Sequence, residues 1–166
     1  MFRTISDFLT AWKVESESTL KVFRALTDAS LEQRVTPEGR TLGFIAWHIL
    51  GSMTYMMTEA GSPIAAPGEK DPMPASAAAI AGAYENGAKA VAEAIQTKWT
   101  DAQLGDYIQM FGESWTKGFI LGSIMAHQCH HRGQMTVLMR QAGLKVPGIY
   151  GPSKEEWAYY AMEPQP

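Results

Sequence analysis

Along most of this 166-residue chain apolar side chains return every three or four positions, a period that commits it to packed helices. The first run carries Ile5, Phe8, Leu9, Trp12, Leu20, Phe23, Leu26 and Leu31, and predicts a helix over about residues 4–29. Pro37 and Gly39 interrupt the pattern. It resumes in "RTLGFIAWHILGSMTYMMTEAG", where Thr41 is placed to cap a second helix and Gly61 to stop it. Prolines at 63, 67, 72 and 74 then mark residues 62–74 as a surface linker long enough to cross the end of a bundle. Neither flank can bury its apolar face alone, so residues 1–166 read as one domain.

A third helix is predicted in the alanine-rich "SAAAIAGAYENGAKAVAEAIQTKW", with Ile80, Tyr84, Val91 and Ile95 as a thin apolar stripe. Residues 99–116 lack a clear period, and "DYIQMFGESW" reads equally as a short extended pair or an irregular loop. The fourth helix spans about 116–142 and stops at Gly143, with Pro147 beyond it. Ser153 and Glu156 have the spacing of a capping box, which predicts a short helix over about 154–161. The expected fold class is therefore all-α: an antiparallel four-helix bundle with a short additional C-terminal helix.

The composition, 46% hydrophobic and 19% charged, is that of an ordinary globular protein. A net charge of -3 leaves no basic footprint, which argues against nucleic acid as a partner. No apolar run approaches the ~20 residues of a bilayer span. The N-terminal stretch lacks the apolar core and small-residue cleavage site of a signal peptide, and the single cysteine, Cys129, leaves no internal disulfide. Together these set the expectation of a cytoplasmic chain with no membrane partner.

Three of the four histidines fall in "GSIMAHQCHHRGQMTVLMRQAG", inside the fourth helix. His127 and His131, four residues apart, lie about 40° apart round the helix axis and roughly 6 Å along it, so they can reach one ion. His130 can also pair with His127 at three residues, so spacing alone leaves the second ligand open between His130 and His131. Ile120, Ile124, His127, His131, Met135 and Leu138 form one stripe, read as the interior face, with His130 to its side. Cys129 lies about 160° from His127 and cannot easily share its ion. Gln128 stands where a helical zinc protease would carry its glutamate base, so that chemistry fails on this residue.

A third imidazole is His48, set among Phe44, Ile45, Trp47, Ile49 and Leu50, where an unpartnered polar group would be costly. Three imidazoles from two facing helices would satisfy one another round an ion and leave a fourth coordination position open, as catalytic zinc sites do. Each residue also has a plainer reading. His48 alone fits a hydrogen-bonded core histidine, and the His127 and His131 pair fits a site held by buried water. Arg132 and Glu113 read as surface charges or local salt bridges, Tyr84 as packed, and the tryptophans and methionines as core filling.

The stretch "HQCHHRGQMTVLMRQAG", with His-x3-His-Arg-Gly-Gln ahead of an apolar run, resembles the closing helix of the DinB family, the damage-inducible and YfiT-like metalloproteins. "RTLGFIAWHILGSM" is similar to that family's second helix with its single histidine, and "TLKVFRALTD" and "PGIYGPSKEEW" extend the likeness over nearly the whole chain. The resemblance implies a four-helix bundle holding a divalent metal, nickel or zinc ahead of iron, on His48, His127 and His131. In the family pattern the histidine directly before Arg-Gly-Gln is the ligand, which leaves His130 at the rim or supporting a ligand. The resemblance also implies a homodimer. Through the better-understood members it implies thiol-dependent transferases and isomerases, which use low-molecular-weight thiols such as bacillithiol or mycothiol.

Two enzymatic expectations follow, each with a small-molecule substrate. In the first, the metal acidifies a small thiol for S-transfer or thiol-dependent isomerisation. In the second, a metal-dependent hydrolase, it lowers the pKa of bound water toward ~7, with Glu113 or Glu59 as the nearest base. A third expectation is a non-catalytic metal-binding dimeric bundle, in which Trp47, Met53, Tyr55, Met56 and Met57 give helix two enough apolar surface for a partner. Arg132 and Gln134 lie within a turn of the ligands, and Gln134 is placed to support one of them.

Overall fold

The computed structural model describes residues 2–164. Four helices dominate: α1 (Ile5–Arg24), α2 (Leu42–Glu59), α3 (Ala77–Lys98) and α4 (Lys117–Gln141). Each begins on a hydroxyl side chain that accepts a free backbone N–H of the first turn: Thr4 from Asp7, Thr41 from Phe44, Ser76 from Ala79 and Thr116 from Phe119. Gly61 and Gly143, both at φ 75°, take up the left-handed turn that ends α2 and α4. Helices α1 and α2 both pack against α3 and α4, so α1 stands diagonally across from α2, and α3 from α4, in a four-helix bundle. The expected helical bundle of four helices is the observed fold, with a small two-stranded sheet added.

Three segments differ from expectation or resolve an open one. The first helix ends at Arg24, not near 29, because Thr27 and Ser30 cap each other and start a separate 3-10 turn over Asp28–Glu32 that delivers Leu31 to the core. Residues 99–116 contain the extended pair: a 3-10 turn over Asp101–Gly105, then strands β1 (Tyr107–Met110) and β2 (Glu113–Thr116), antiparallel with Met110 opposite Glu113. Buried Met110 pins the hairpin to the bundle. The helix expected over 154–161 is only a 3-10 turn, Trp157–Tyr160. Glu156 does accept from the Ser153 N–H, but it accepts from the Gly148 N–H as well, and the Ser153 hydroxyl has no partner, so the reciprocal half of the capping box is missing.

One core runs through all four helices, with Phe8, Trp12, Leu50, Ile80, Ile95 and Ile120 among its fully buried members. Indole nitrogens that enter it find acceptors, as when Trp12 donates to the Ala88 carbonyl and Trp47 to that of Asp71. Trp47, Met53, Met56 and Met57 are all buried within the chain, so of the apolar side chains expected to serve a partner on helix two only Tyr55 is exposed. Among the described residues no helix is long and apolar enough to cross a membrane.

Candidate metal site

Because α2 packs along α4, His48 on the one faces His127 and His131 on the other. One nitrogen from each ring lies within 4.8 Å of the other two, a group able to hold a metal ion. The ring centroids are 5.1 Å apart for His48 and His127, 4.8 Å for His48 and His131, and 4.4 Å for His127 and His131. The Nε2 atoms of His127 and His131 are 3.2 Å apart. Two nitrogens bound tetrahedrally at ~2.0–2.1 Å from one ion would be about 3.3 Å apart, so the pair already has the right edge length.

The electrostatics suit the same purpose. Burial pushes all three imidazoles below their ordinary pKa of 6.5. His127 is pushed down to about 4, by burial first and then by the neighbouring rings of His131 and His48. At neutral pH the site therefore presents uncharged nitrogens, the form that binds metal. His131 has its tautomer set by Gln134: the amide oxygen lies 2.7 Å from Nδ1 and can only accept, so Nδ1 carries the proton and the Nε2 lone pair faces His127. His48 is steadied differently, by a parallel Phe44 ring at 5.9 Å that in turn lies under the Arg40 guanidinium.

A cavity of about 320 Å³ adjoins the triad and has His48 and His127 in its wall. Its other polar members are Ser52, Ser123 and Glu69. Glu69 comes from the Pro-rich linker, which lies against α2 as a strap. Its Oε1 accepts from the Ser52 hydroxyl at 2.9 Å and lies 3.3 Å from His48 Nδ1. The strap comes this close only because residue 51 is glycine; a Cβ there would meet Glu69 Cα at 2.8 Å.

The family's sequence model, described as the DinB family, matches residues 1–165. The chain belongs to the DinB family. It is 45% identical over 163 residues to the uncharacterized protein YrdA of Bacillus subtilis (strain 168), an alignment covering 98% of each chain. Among solved structures it is similar to a DinB-like protein from Bacillus cereus ATCC 10987, at 43% identity and a TM-score of 0.87, over 90% of this chain and all of that one. A DinB-like protein of Bacillus subtilis, YjoA, shares 18% identity and a TM-score of 0.67 over 86% of this chain and 97% of its own, a likeness of fold alone.

Within this DinB bundle the other singled-out residues sort by position. His130 is exposed at the rim, with its Nε2 3.2 Å from the Gln134 amide nitrogen and its ring edge-on to His131 at 4.9 Å. Glu113, exposed on β2, accepts from the Trp115 indole, and Glu59 is exposed at the end of α2. Neither borders the cavity; the carboxylate there is Glu69. It went unseen in the sequence because nothing in a linker's composition says which of its charges folds back. Arg132 is no surface charge. It is 2% exposed and donates to the Glu15 carboxylate, the Thr19 hydroxyl and Tyr150 on the side of α4 away from the triad. Cys129 shares that cluster, bonded to Glu15 and Tyr150, apart from the histidines as its helical angle requires. Tyr84 is fully buried and donates to Gln128 Oε1 at 2.7 Å, so both residues serve the core.

Proposed function

We propose that this protein is a metal-dependent enzyme that holds one divalent ion, nickel or zinc ahead of iron, on His48, His127 and His131. It uses a low-molecular-weight thiol to act on a small molecule, as an S-transferase or a thiol-dependent isomerase. One observation carries the reading: three neutral imidazoles converge within 4.8 Å beside a cavity that two of them border. When bound, the ion supplies a Lewis acid whose remaining position favours an anion and makes a thiol acidic enough to react at neutral pH.

The chain's own groups do the rest. The imidazoles bring lone pairs without having to shed protons. Gln134 holds the His131 ring in its working tautomer. Glu69, oriented by the Ser52 hydroxyl, stands at the cavity edge as an acceptor for the proton the nucleophile gives up. That same carboxylate favours a second reading, a metal-dependent hydrolase, because it supplies the base that Gln128 does not. A purely structural ion fits less well, since the cavity reaches the triad.

Elemental analysis of untagged protein, wild type beside His48→Ala, tests the site. Metal near one per chain in the wild type and lost in the variant supports it; none in either after incubation with zinc or nickel overturns it. Cobalt-substituted protein separates the two chemistries. A thiolate-to-cobalt charge-transfer band on adding a small thiol supports S-transfer, whereas turnover of a chromogenic ester without any thiol supports hydrolysis.

A further inference from the structure

Besides its polar members and Met56, the cavity is lined by aromatic rings. Tyr55 from α2, Phe111 from the hairpin turn and Trp115 from β2 all border it, and their rings follow one another, 5.5 Å from Tyr55 to Phe111 and 5.6 Å from Phe111 to Trp115. Trp115 is held from two sides: Glu113 accepts its indole N–H at 2.8 Å, and Phe119 packs edge-on against it at 4.7 Å.

Phe111 is the informative member. With Gly112 it forms the two-residue turn between β1 and β2, and both have positive φ, 53° and 79°. Such a turn favours asparagine, aspartate or glycine at its first position, and a bulky residue there is strained. Nor does burial reward it, since 65% of Phe111 is exposed. The rings it does meet, Tyr55 and Trp115, are themselves part of the cavity wall. What it alone supplies is a ring at the mouth of the cavity.

The charge of the lining narrows what such a ring meets. No lysine or arginine borders the cavity, and its one charged side chain is the acidic Glu69. A phosphorylated or otherwise polyanionic group would find no cation there besides the metal itself. A volume of about 320 Å³ is at the small end for ligand pockets.

We propose that Tyr55, Phe111 and Trp115 form a substrate subsite for an uncharged aromatic ring or similarly flat apolar group, stacked so that its reactive end points to His48 and His127. The direction of the reactive end rests on the metal-dependent reading above; the aromatic subsite does not. Aromatic faces prefer offset or edge-on partners, and three rings from three elements offer such contacts at once.

Calorimetric titration of the zinc-loaded full chain with phenylmethanethiol and with ethanethiol tests it, in wild type, Phe111→Gly and Trp115→Ala. The aromatic thiol is expected to bind at least tenfold more tightly than ethanethiol to the wild type. In either variant that advantage should fall below threefold with ethanethiol unchanged. Phe111→Gly should also melt no lower than the wild type, because glycine is at ease at φ 53°; a lower melting temperature would give Phe111 a structural role and overturn the argument.

Benzyl alcohol, followed by saturation-transfer NMR on metal-free protein, separates the subsite from the metal. If neither thiol binds yet benzyl alcohol contacts the wild type and not the variants, the subsite stands and the thiol reading falls. If benzyl alcohol does not contact the wild type, or the aromatic preference survives in both variants, the subsite is wrong. A change of oligomeric state in Phe111→Gly, read by sedimentation, would make the panel an interface between copies instead.

Discussion

At the scale of single residues the three imidazoles are not equivalent. His131 is buried and has a fixed tautomer, His127 lies at the cavity wall, and His130 is outside the group. His127→Ala and His131→Ala are expected to lose the metal and keep the bundle, while His130→Ala keeps both. Near-stoichiometric metal in the His131→Ala protein would show the ligand set to be wrong. Gln134→Ala should weaken zinc about tenfold in competition with a chromophoric chelator, the usual effect of removing a ligand's supporting hydrogen bond. Arg132 is the residue on which stability turns. Its side chain and that of Glu15 are 3% and 12% exposed, so Arg132→Met leaves a carboxylate buried beside Cys129 and Tyr150 and should cost about 3–5 kcal/mol in urea unfolding. A loss under about 1 kcal/mol would place the pair among ordinary surface bridges. The pH dependence follows with a definite sign. Burial pushes the Glu15 carboxyl up, but hydrogen bonds from Cys129, Arg132 and Tyr150 outweigh it and hold it below 4.5. A depressed acid stabilises the fold above its unfolded pKa and loses that contribution as pH falls through the folded one. The gap between wild type and Arg132→Met should therefore narrow below pH ~4.5.

At the scale of elements, the strap and helix α2 depend on a missing side chain. Gly51→Ala puts a Cβ 2.8 Å from Glu69 Cα and 2.9 Å from its nitrogen, backbone atoms that cannot turn aside. It is expected to cost about 1–3 kcal/mol and to pull Glu69 from Ser52. The control is Gly82, inside α3, where a Cβ would meet nothing within 4 Å. Gly82→Ala should add about 0.5–1 kcal/mol through helix propensity alone. Thermal melts of the two variants that shifted in the same direction would contradict the packing argument. The hairpin shows why element type was less legible here than in the helices. A four-residue strand has room for only two alternations, so "DYIQM" carries too little period to choose between strand and loop, and the choice came from burying Met110 and pairing it with Glu113.

At the scale of the whole molecule an ion on the triad would tie α2 to α4, two helices joined through the strap, α3 and the hairpin. Zinc at a hundred times its dissociation constant should stabilise the bundle by about 2.7 kcal/mol, read as a rise in melting temperature that His48→Ala abolishes. Because burial holds the imidazoles below 6.5, protons compete little near neutrality. Zinc affinity is expected to fall from pH 7.5 to 6.5 by clearly less than the roughly sixfold that three ordinary histidines, each half protonated at the lower pH, would lose. Metal-free protein has the sign of a depressed base: the unfolded chain takes up protons first, so the fold loses stability as pH drops below 6.5.

The four helices, the Thr41 cap and the glycine stops of α2 and α4 were determined by the sequence alone, because period and capping are properties of residues within a few positions of one another. The facing of His127 and His131 was legible for the same reason. What tertiary structure decided is what lies between elements. It set His48 against the α4 pair, folded Glu69 of the strap onto Ser52 seventeen residues away, and paired Arg132 with Glu15 across the bundle. Helical period says that Arg132 and His131 occupy different faces; only packing says that both faces are covered, one by the Glu15 carboxylate and the other by the His48 imidazole. A charged side chain in a sequence has no direction until the chain that neutralises it has been brought alongside.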